Sequence, residues 1–288
     1  MTYKFALILG STKSGTTSLF KYLNNHPEIC GSKLKETRFF LNTSTDNLNS
    51  YLKFFTRDVN EKILLEATPV YFEKEIYAQN IYNLLNNYDL KLIVILRNPI
   101  DRFISWYKFS KQDGRISDQM SFEKYFNLNF SFLGKDGPQH LKALTTGNYS
   151  IQLDCYYKYF EKSNFKILYF EDLVSNQVKI LNEICEFLNI DNKFYTKTNK
   201  TNFNKTSQYK YPFLNKKYKK FKRYIREITL NSKIRDRLKF ISKKIDLLYT
   251  LFNKKQDVNN LVNIDKTTLK KLRLYYQQEL VKYKRRKY

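Results

Sequence analysis

The segment Gly10-Ser11-Thr12-Lys13-Ser14-Gly15-Thr16-Thr17-Ser18 places small residues, a lysine and several hydroxyls between the apolar run Tyr3 to Leu9 and a helical pattern from Thr16 to Leu23. Strand, loop and helix in that order suit an anion. The first-turn N–H groups of a helix lack intrahelical acceptors and carry partial positive charge, and glycine lets a phosphate approach the backbone closely. Lys13 adds a full charge to that cradle.

A lysine directly after the second glycine would make this the ATP-binding G-x-x-x-x-G-K-[ST] loop, but here Lys13 precedes Gly15. The displaced lysine resembles the K-x-G-T-T loop of sulfotransferases that use 3′-phosphoadenosine 5′-phosphosulfate, where it binds the 5′-phosphosulfate. The segment Lys91-Leu-Ile-Val-Ile-Leu-Arg97-Asn98-Pro99-Ile-Asp101-Arg102-Phe-Ile-Ser105-Trp106-Tyr107 resembles the 3′-phosphate segment of the same family. Arg97 ends a strand and Ser105 stands about two turns into the next helix, so both can face one phosphate. A guanidinium suits that task because its fork bonds two oxygens at once. The resemblance runs from Leu7 to about Phe187, with Gly147-Asn-Tyr149 and Tyr169-Phe-Glu171-Asp172-Leu173 as further landmarks. Phe203-Asn204-Lys205-Thr206 resembles the late loop with which glycan sulfotransferases cover the donor, although Ser207-Gln208 stand where the family continues with glycine. The resemblance implies Lys13, Ser14, Gly15, Thr16, Thr17, Ser18, Arg97, Ser105 and Lys205 as donor ligands. Lys13 would also stabilise charge on the leaving phosphate oxygen, and no metal is required.

Lys35-Glu36-Thr37-Arg38-Phe39-Phe40 resembles the K-E-x-x-F-F segment of heparan-sulfate-type and bacterial glycan sulfotransferases, whose glutamate is taken as the general base. Glu36 is the candidate here, since a carboxylate beside aromatic rings can be desolvated and raised in pKa toward neutrality. Glu66, in Glu66-Ala67-Thr68-Pro69-Val70-Tyr71-Phe72, ends a strand at the same rim and is expected as a reserve base or acceptor-orienting group. Some glycan enzymes carry a lysine where Ala67 stands. The small-molecule branch uses a base histidine on this strand, and Ile63 to Pro69 contains none. His26 lies in the turn Asn25-His26-Pro27, a structural position, and His140 in a stretch where a solvated or acceptor-contacting ring is expected. The reaction implied is sulfuryl transfer to a hydroxyl or amine of an acceptor, a carbohydrate in this branch.

Four short apolar runs are expected as parallel strands: Tyr3 to Leu9, Ile63 to Leu65, Leu92 to Leu96 and Phe165 to Phe170. Helical patterns alternate with them at Thr16 to Leu23, Ile76 to Leu85, Pro99 to Phe109, Tyr149 to Phe160 and Gln177 to Leu188, with Asn98 as an N-cap before Pro99. This is an α/β pattern: a three-layer, P-loop-like fold with a central parallel sheet and its crevice beyond the strands' carboxyl ends. Residues 112–146 read as an irregular insertion near the acceptor. The expected organisation is a catalytic domain over 1–211 and a basic helical C-terminal extension, 212–288, packed on it and closing with Leu269, Leu272, Tyr276 and Leu280 at helical spacing.

The 288 residues carry a formal net charge of +25, distributed unevenly. Residues 1–208 hold 27 Lys/Arg against 21 Asp/Glu, whereas residues 209–288 hold 25 against 6. The basic extension could cradle an anionic polymer, but it contains no dedicated nucleic-acid motif. Two alternatives to the transferase therefore remain: a P-loop kinase using ATP and Mg²⁺, and a basic protein bound to nucleic acid or a membrane surface. A kinase usually ends a strand with a metal-holding Asp, and here Leu92 to Leu96 ends in Arg97. No stretch approaches the roughly 18 apolar residues of a membrane span, and no targeting segment is visible. The expected location is cytoplasmic, or the Golgi lumen if the chain is cut from a longer precursor. Cys30, Cys155 and Cys185 lack C-x-x-C spacing and are expected as buried thiols.

Overall fold

The computed structural model describes residues 3–42, 47–56, 58, 60–196, 207–209, 218, 221, 245–246, 255–257 and 264–287. Five strands form one parallel sheet: β1 (Lys4–Gly10), β2 (Ile29–Gly31), β3 (Ile63–Ala67), β4 (Asp89–Leu96) and β5 (Phe165–Tyr169), in the order β2-β3-β1-β4-β5. Four of them are the runs expected from sequence. The addition is β2, a three-residue edge strand beside β3, too short to show a period. Residues 207–209 (β6) and 255–257 (β7) make a separate antiparallel pair.

Side chains alternate across the sheet with period two and give it two apolar faces. Phe5, Leu7, Leu9, Leu64, Leu92, Val94 and Leu96 point to one side, into a core shared with α3 (Glu75–Leu85) and α6 (Tyr149–Tyr157). Ala6, Ile8, Ile63, Leu65, Ala67, Ile93 and Ile95 point to the other, against α1 (Thr16–Leu23) and α8 (Gln177–Leu188). Helices on both faces make the three layers. A third cluster joins α4 (Pro99–Gln112) to α5 (Phe122–Ser131) through Phe103, Trp106, Tyr107, Tyr125 and Phe126. The 112–146 stretch is thus less irregular than its sequence suggests, because Ser121 caps α5 by accepting from Lys124 N (3.1 Å). Its apolar residues pack on α4 rather than on the sheet, so no sheet-facing stripe marks it in sequence.

Two helices, α9 (Lys266–Tyr275) and α10 (Gln277–Lys287), close the described chain and pack on this body. Leu272 and Tyr276, expected on the helical stripe, are fully buried, and Tyr276 OH donates to Leu144 O (2.7 Å). Glu279 accepts from Ser150 Oγ (2.7 Å). His26 holds another join: its Nδ1 accepts from Glu28 N (3.2 Å), so Nε2 carries the proton donated to Asp191 O (2.8 Å). Cys30 and Cys185 are buried free thiols, pushed up by burial to about 11 and about 12. Cys155 is only half-buried, a departure from expectation that follows from its place on the outer flank of α6 beside Glu75.

Candidate active site

A cleft of about 1260 Å³ opens beyond the carboxyl ends of the strands, walled by residues that directly follow β1, β3, β4 and β5 in the chain. Lys13, Gly15, Thr16, Thr17 and Ser18 line it, as do Arg97, Ser105 and Glu36. Backbone bonding and turn geometry shape the loop locally. Ser11 N donates to Ile95 O (2.8 Å), tying the loop to β4. Lys13 and Gly15 take left-handed φ values of 71° and 91°, which turn the chain sharply into α1. The left-handed region suits glycine and is costly for lysine. A Cβ added at Gly15 would lie 2.7 Å from Phe170 Cδ2, so only glycine fits beneath that ring. Ser14 departs from expectation: it is fully buried, its Oγ sits 2.5 Å from Ser11 Oγ, and its side chain braces the loop instead of lining the cleft.

Arg97 is held from three sides. Its guanidinium stands 4.7 Å over the Phe170 ring and donates through Nη1 to Lys13 O (3.4 Å), while Tyr149 OH donates to its carbonyl (2.7 Å). The next residue, Asn98, donates its N–H to Glu171 Oε1 (3.0 Å), and Tyr283 of α10 donates to Glu171 Oε2 (2.5 Å). The two sequence landmarks around Tyr149 and Glu171 are therefore supports of the arginine. The Lys13 ammonium lies 3.9 Å from the centre of the Phe109 ring, a position that keeps the charge at the cleft.

The Glu36 carboxylate is paired with Lys35 Nζ (3.2 Å) and Arg38 Nη2 (3.6 Å), and 40% of its side chain is exposed. Its neighbours are two cations and solvent, not the rings that the F-F pair suggested, because Phe40 is buried and packs on Tyr51 and Tyr71. Burial pulls the Lys35 ammonium below its ordinary value, with Glu36 and Glu66 acting in the opposite direction.

Glu66 was expected at the rim and lies elsewhere. It is fully buried, and four hydroxyls donate to it: Thr37 (2.5 Å), Thr68 (2.6 Å), Tyr51 (2.7 Å) and Tyr71 (3.0 Å). Burial raises its pKa and the four donors oppose the rise. The reason is strand parity: Glu66 shares the face of Leu64, so it points into the core and not along the strand toward the cleft. Through Thr37 it anchors the loop that carries Glu36.

Sequence reasoning missed Glu73. It is half-buried in the cleft wall, accepting at Oε1 from Thr12 Oγ1 (2.8 Å) and Gln139 Nε2 (3.0 Å). Burial raises its pKa, opposed by Gln139, Thr12, Arg102 and Lys142. Its one sequence signal was a carboxylate directly after the Val70-Tyr71-Phe72 run. Lys205 and the rest of 197–206 lie outside the described residues, as does most of the basic extension. Among the described residues no three His, Cys, Asp or Glu side chains gather as a metal site, and no helix is long and apolar enough to cross a membrane.

A parallel sheet with a glycine loop after its central strand and an arginine after the neighbouring one defines a P-loop-like fold. Residues 4–266 match the family model described as the sulfotransferase domain, and the chain belongs to that family. It is 38% identical over 109 residues to the membrane-associated sulfotransferase kil1 of Dictyostelium discoideum, covering 37% of this chain and 23% of that protein. It is 31% identical over 201 residues to heparan sulfate glucosamine 3-O-sulfotransferase 6 of Mus musculus, covering 66% of this chain and 55% of that protein. The chain thus matches little more than half the length of these relatives at most. A sulfotransferase crystal structure from Alicyclobacillus acidocaldarius superposes with a TM-score of 0.61 at 21% identity, over 94% of this chain and 100% of that one, and so has the same fold.

Proposed function

We propose that the protein transfers a sulfuryl group from 3′-phosphoadenosine 5′-phosphosulfate to a hydroxyl or amine of a glycan, with Glu36 as general base. The observation that carries this reading is the single cleft walled by Lys13, Gly15–Ser18, Arg97, Ser105 and Glu36. The residues fit the donor. Thr16 and Thr17 open α1 directly after Gly15 and line the cleft, where first-turn amides suit phosphate, and Arg97 is braced by the Phe170 ring, Lys13 O and Tyr149 while lining the same cleft. The cleft also exceeds the roughly 300–1,000 Å³ of a pocket for one small ligand, leaving room for a sugar beside the nucleotide.

The donor, when bound, supplies the sulfuryl group. Lys13 and the α1 amides hold its 5′ end and offset charge gathering on the phosphate, a preorganised effect that needs no movement during transfer. Arg97 and Ser105 hold the 3′-phosphate, and Lys205 is proposed to cover the donor. Glu36 removes the proton of the attacking group, and its ion pairs fix the direction of its oxygens. Glu66, through Thr37, fixes the loop beneath it. Lys35, Arg38, Lys74, Arg115, Lys135 and Lys142 add positive charge to the wall and suit an acidic glycan, the substrate class in the name of the heparan sulfate relative.

Calorimetry with 3′-phosphoadenosine 5′-phosphate, against ATP plus Mg²⁺, tests the reading. Metal-independent binding lost in Lys13→Ala and Arg97→Ala is expected. Glu36→Gln should keep that binding and lose about 10²- to 10⁴-fold in turnover. Preference for ATP with Mg²⁺ would overturn the reading in favour of a kinase.

A further inference from the structure

We infer that Glu73 is a second carboxylate of the cleft and recognises the acceptor: the protein locks Oε1, and Oε2 receives an O–H or N–H of the sugar. The inference rests on the sulfuryl-transfer reading for the identity of the donor only.

Glu73 ends the 3₁₀ turn Pro69–Glu73 that leaves β3 for the cleft. Both of its protein donors reach the same oxygen. Thr12 comes from the anion loop and Gln139 from the stretch before α6, so Oε1 joins two walls of the cleft. Among the described residues nothing donates to Oε2. Nor is it an enclosed orphan, since it is absent from the buried polar atoms that lack partners, while Glu73 itself lines the cleft. Neither nearby cation pairs with Glu73: Arg102 donates through its Nη atoms to Thr12 O and Ala143 O, and Lys142 pairs with Asp136 (2.8 Å).

An ionised carboxylate oxygen accepts hydrogen bonds and donates none. Placed beside an anion loop, it repels phosphate and sulfate from its own corner and favours a neutral hydroxyl or an ammonium there. A site built around such an oxygen rejects ligands that leave it unpaired. The cleft thus separates chemically into anion-binding surfaces around Lys13, Arg97 and the wall lysines, and one corner that takes a hydrogen-bond donor. A sugar carrying acidic groups together with free hydroxyls or amines matches both.

Glu73→Gln separates recognition from bracing. The amide oxygen can keep Thr12 and Gln139, while the NH₂ group puts a donor where Oε2 was an acceptor. The probe is a hexasaccharide of alternating glucuronate and glucosamine with free amines, titrated with and without 3′-phosphoadenosine 5′-phosphate. The expected result is hexasaccharide affinity lowered about tenfold or more, with nucleotide affinity and melting temperature close to those of the unchanged protein. Glu73→Ala should weaken both ligands, because Thr12 then loses its tether. Unchanged hexasaccharide affinity in Glu73→Gln, a parallel loss of nucleotide affinity in that variant, or no hexasaccharide binding by the unchanged protein would each overturn the inference. A protein that binds hexasaccharide through Glu73 but not the nucleotide would overturn the sulfuryl-transfer reading and leave this one standing.

Discussion

The walls of the cleft proposed for the donor and for the acceptor are held in different ways. On the donor wall, left-handed backbone at Lys13 and Gly15, the Phe170 ring and a carbonyl-bound Arg97 leave almost no slack. On the acceptor wall, residues 134–138 are exposed, and Asp136, 86% exposed at its side chain, bridges Lys74 (3.2 Å) and Lys142 (2.8 Å). Exposed ion pairs of that kind contribute little. The wall carrying Lys13 and Arg97 is therefore held firmly, while the other is free to adjust. Gly15→Ala tests the contrast most severely, because it adds a Cβ 2.7 Å from the Phe170 ring at a φ of 91°. A loss of about 2–4 kcal/mol in urea denaturation is expected, with loss of nucleotide binding. Lys135→Ala, on the other wall, should stay within about 0.5 kcal/mol. Comparable losses in both would break the contrast.

Glu66 and Glu36 sharpen the comparison one level down, since one is enclosed and the other half in water. In Glu66→Gln the amide oxygen still accepts, but the NH₂ group meets at least one of the four hydroxyls that then loses its acceptor, at a cost of about 1–3 kcal/mol. Burial raises the folded-state pKa of Glu66 above its ordinary 4.5. Its protonation-linked stability is then fully present below pH 4.5 and fades as pH rises through the folded value. The advantage of the unchanged protein over Glu66→Gln should be greatest near pH 4 and narrow toward pH 8, as measured by paired thermal melts. An advantage that grows with pH would mean the four donors outweigh burial.

The placement of Lys13 to Ser18 and of Arg97 to Ser105 on one cleft was legible in sequence because the parts are local: a strand, a loop and a helix in one run each time. Four strands could be read for the same reason, as continuous apolar runs. What escaped was set by distance and parity. Glu66 looked like a rim residue until the alternation of β3 sent it into the core. Glu73 acquires meaning only from Thr12 and Gln139, 61 and 66 positions away, and β2 is too short to carry a pattern. The aromatic pair after Glu36 implied a desolvated base, but both rings turn toward Tyr51 and leave the carboxylate with Lys35 and Arg38.

The smallest effect tests how far the rigid wall extends. Tyr283 of α10 donates to Glu171 Oε2 (2.5 Å), Glu171 Oε1 accepts from Asn98 N (3.0 Å), and Asn98 follows Arg97 directly. Lys287 adds an ion pair with Asp172 (3.0 Å). A helix nearly two hundred residues later in the chain thus presses on the backbone that aims the arginine. Tyr283→Phe keeps the ring and its edge-on contact with Tyr169, 5.1 Å between centroids, and deletes only the hydroxyl. About 1 kcal/mol of stability should be lost. If the relay aims Arg97, nucleotide affinity falls by about two- to threefold as well, a part of that same energy felt at the site. Stability lost with affinity intact would show that α10 only tethers the chain end, and that the rigid wall stops at Glu171.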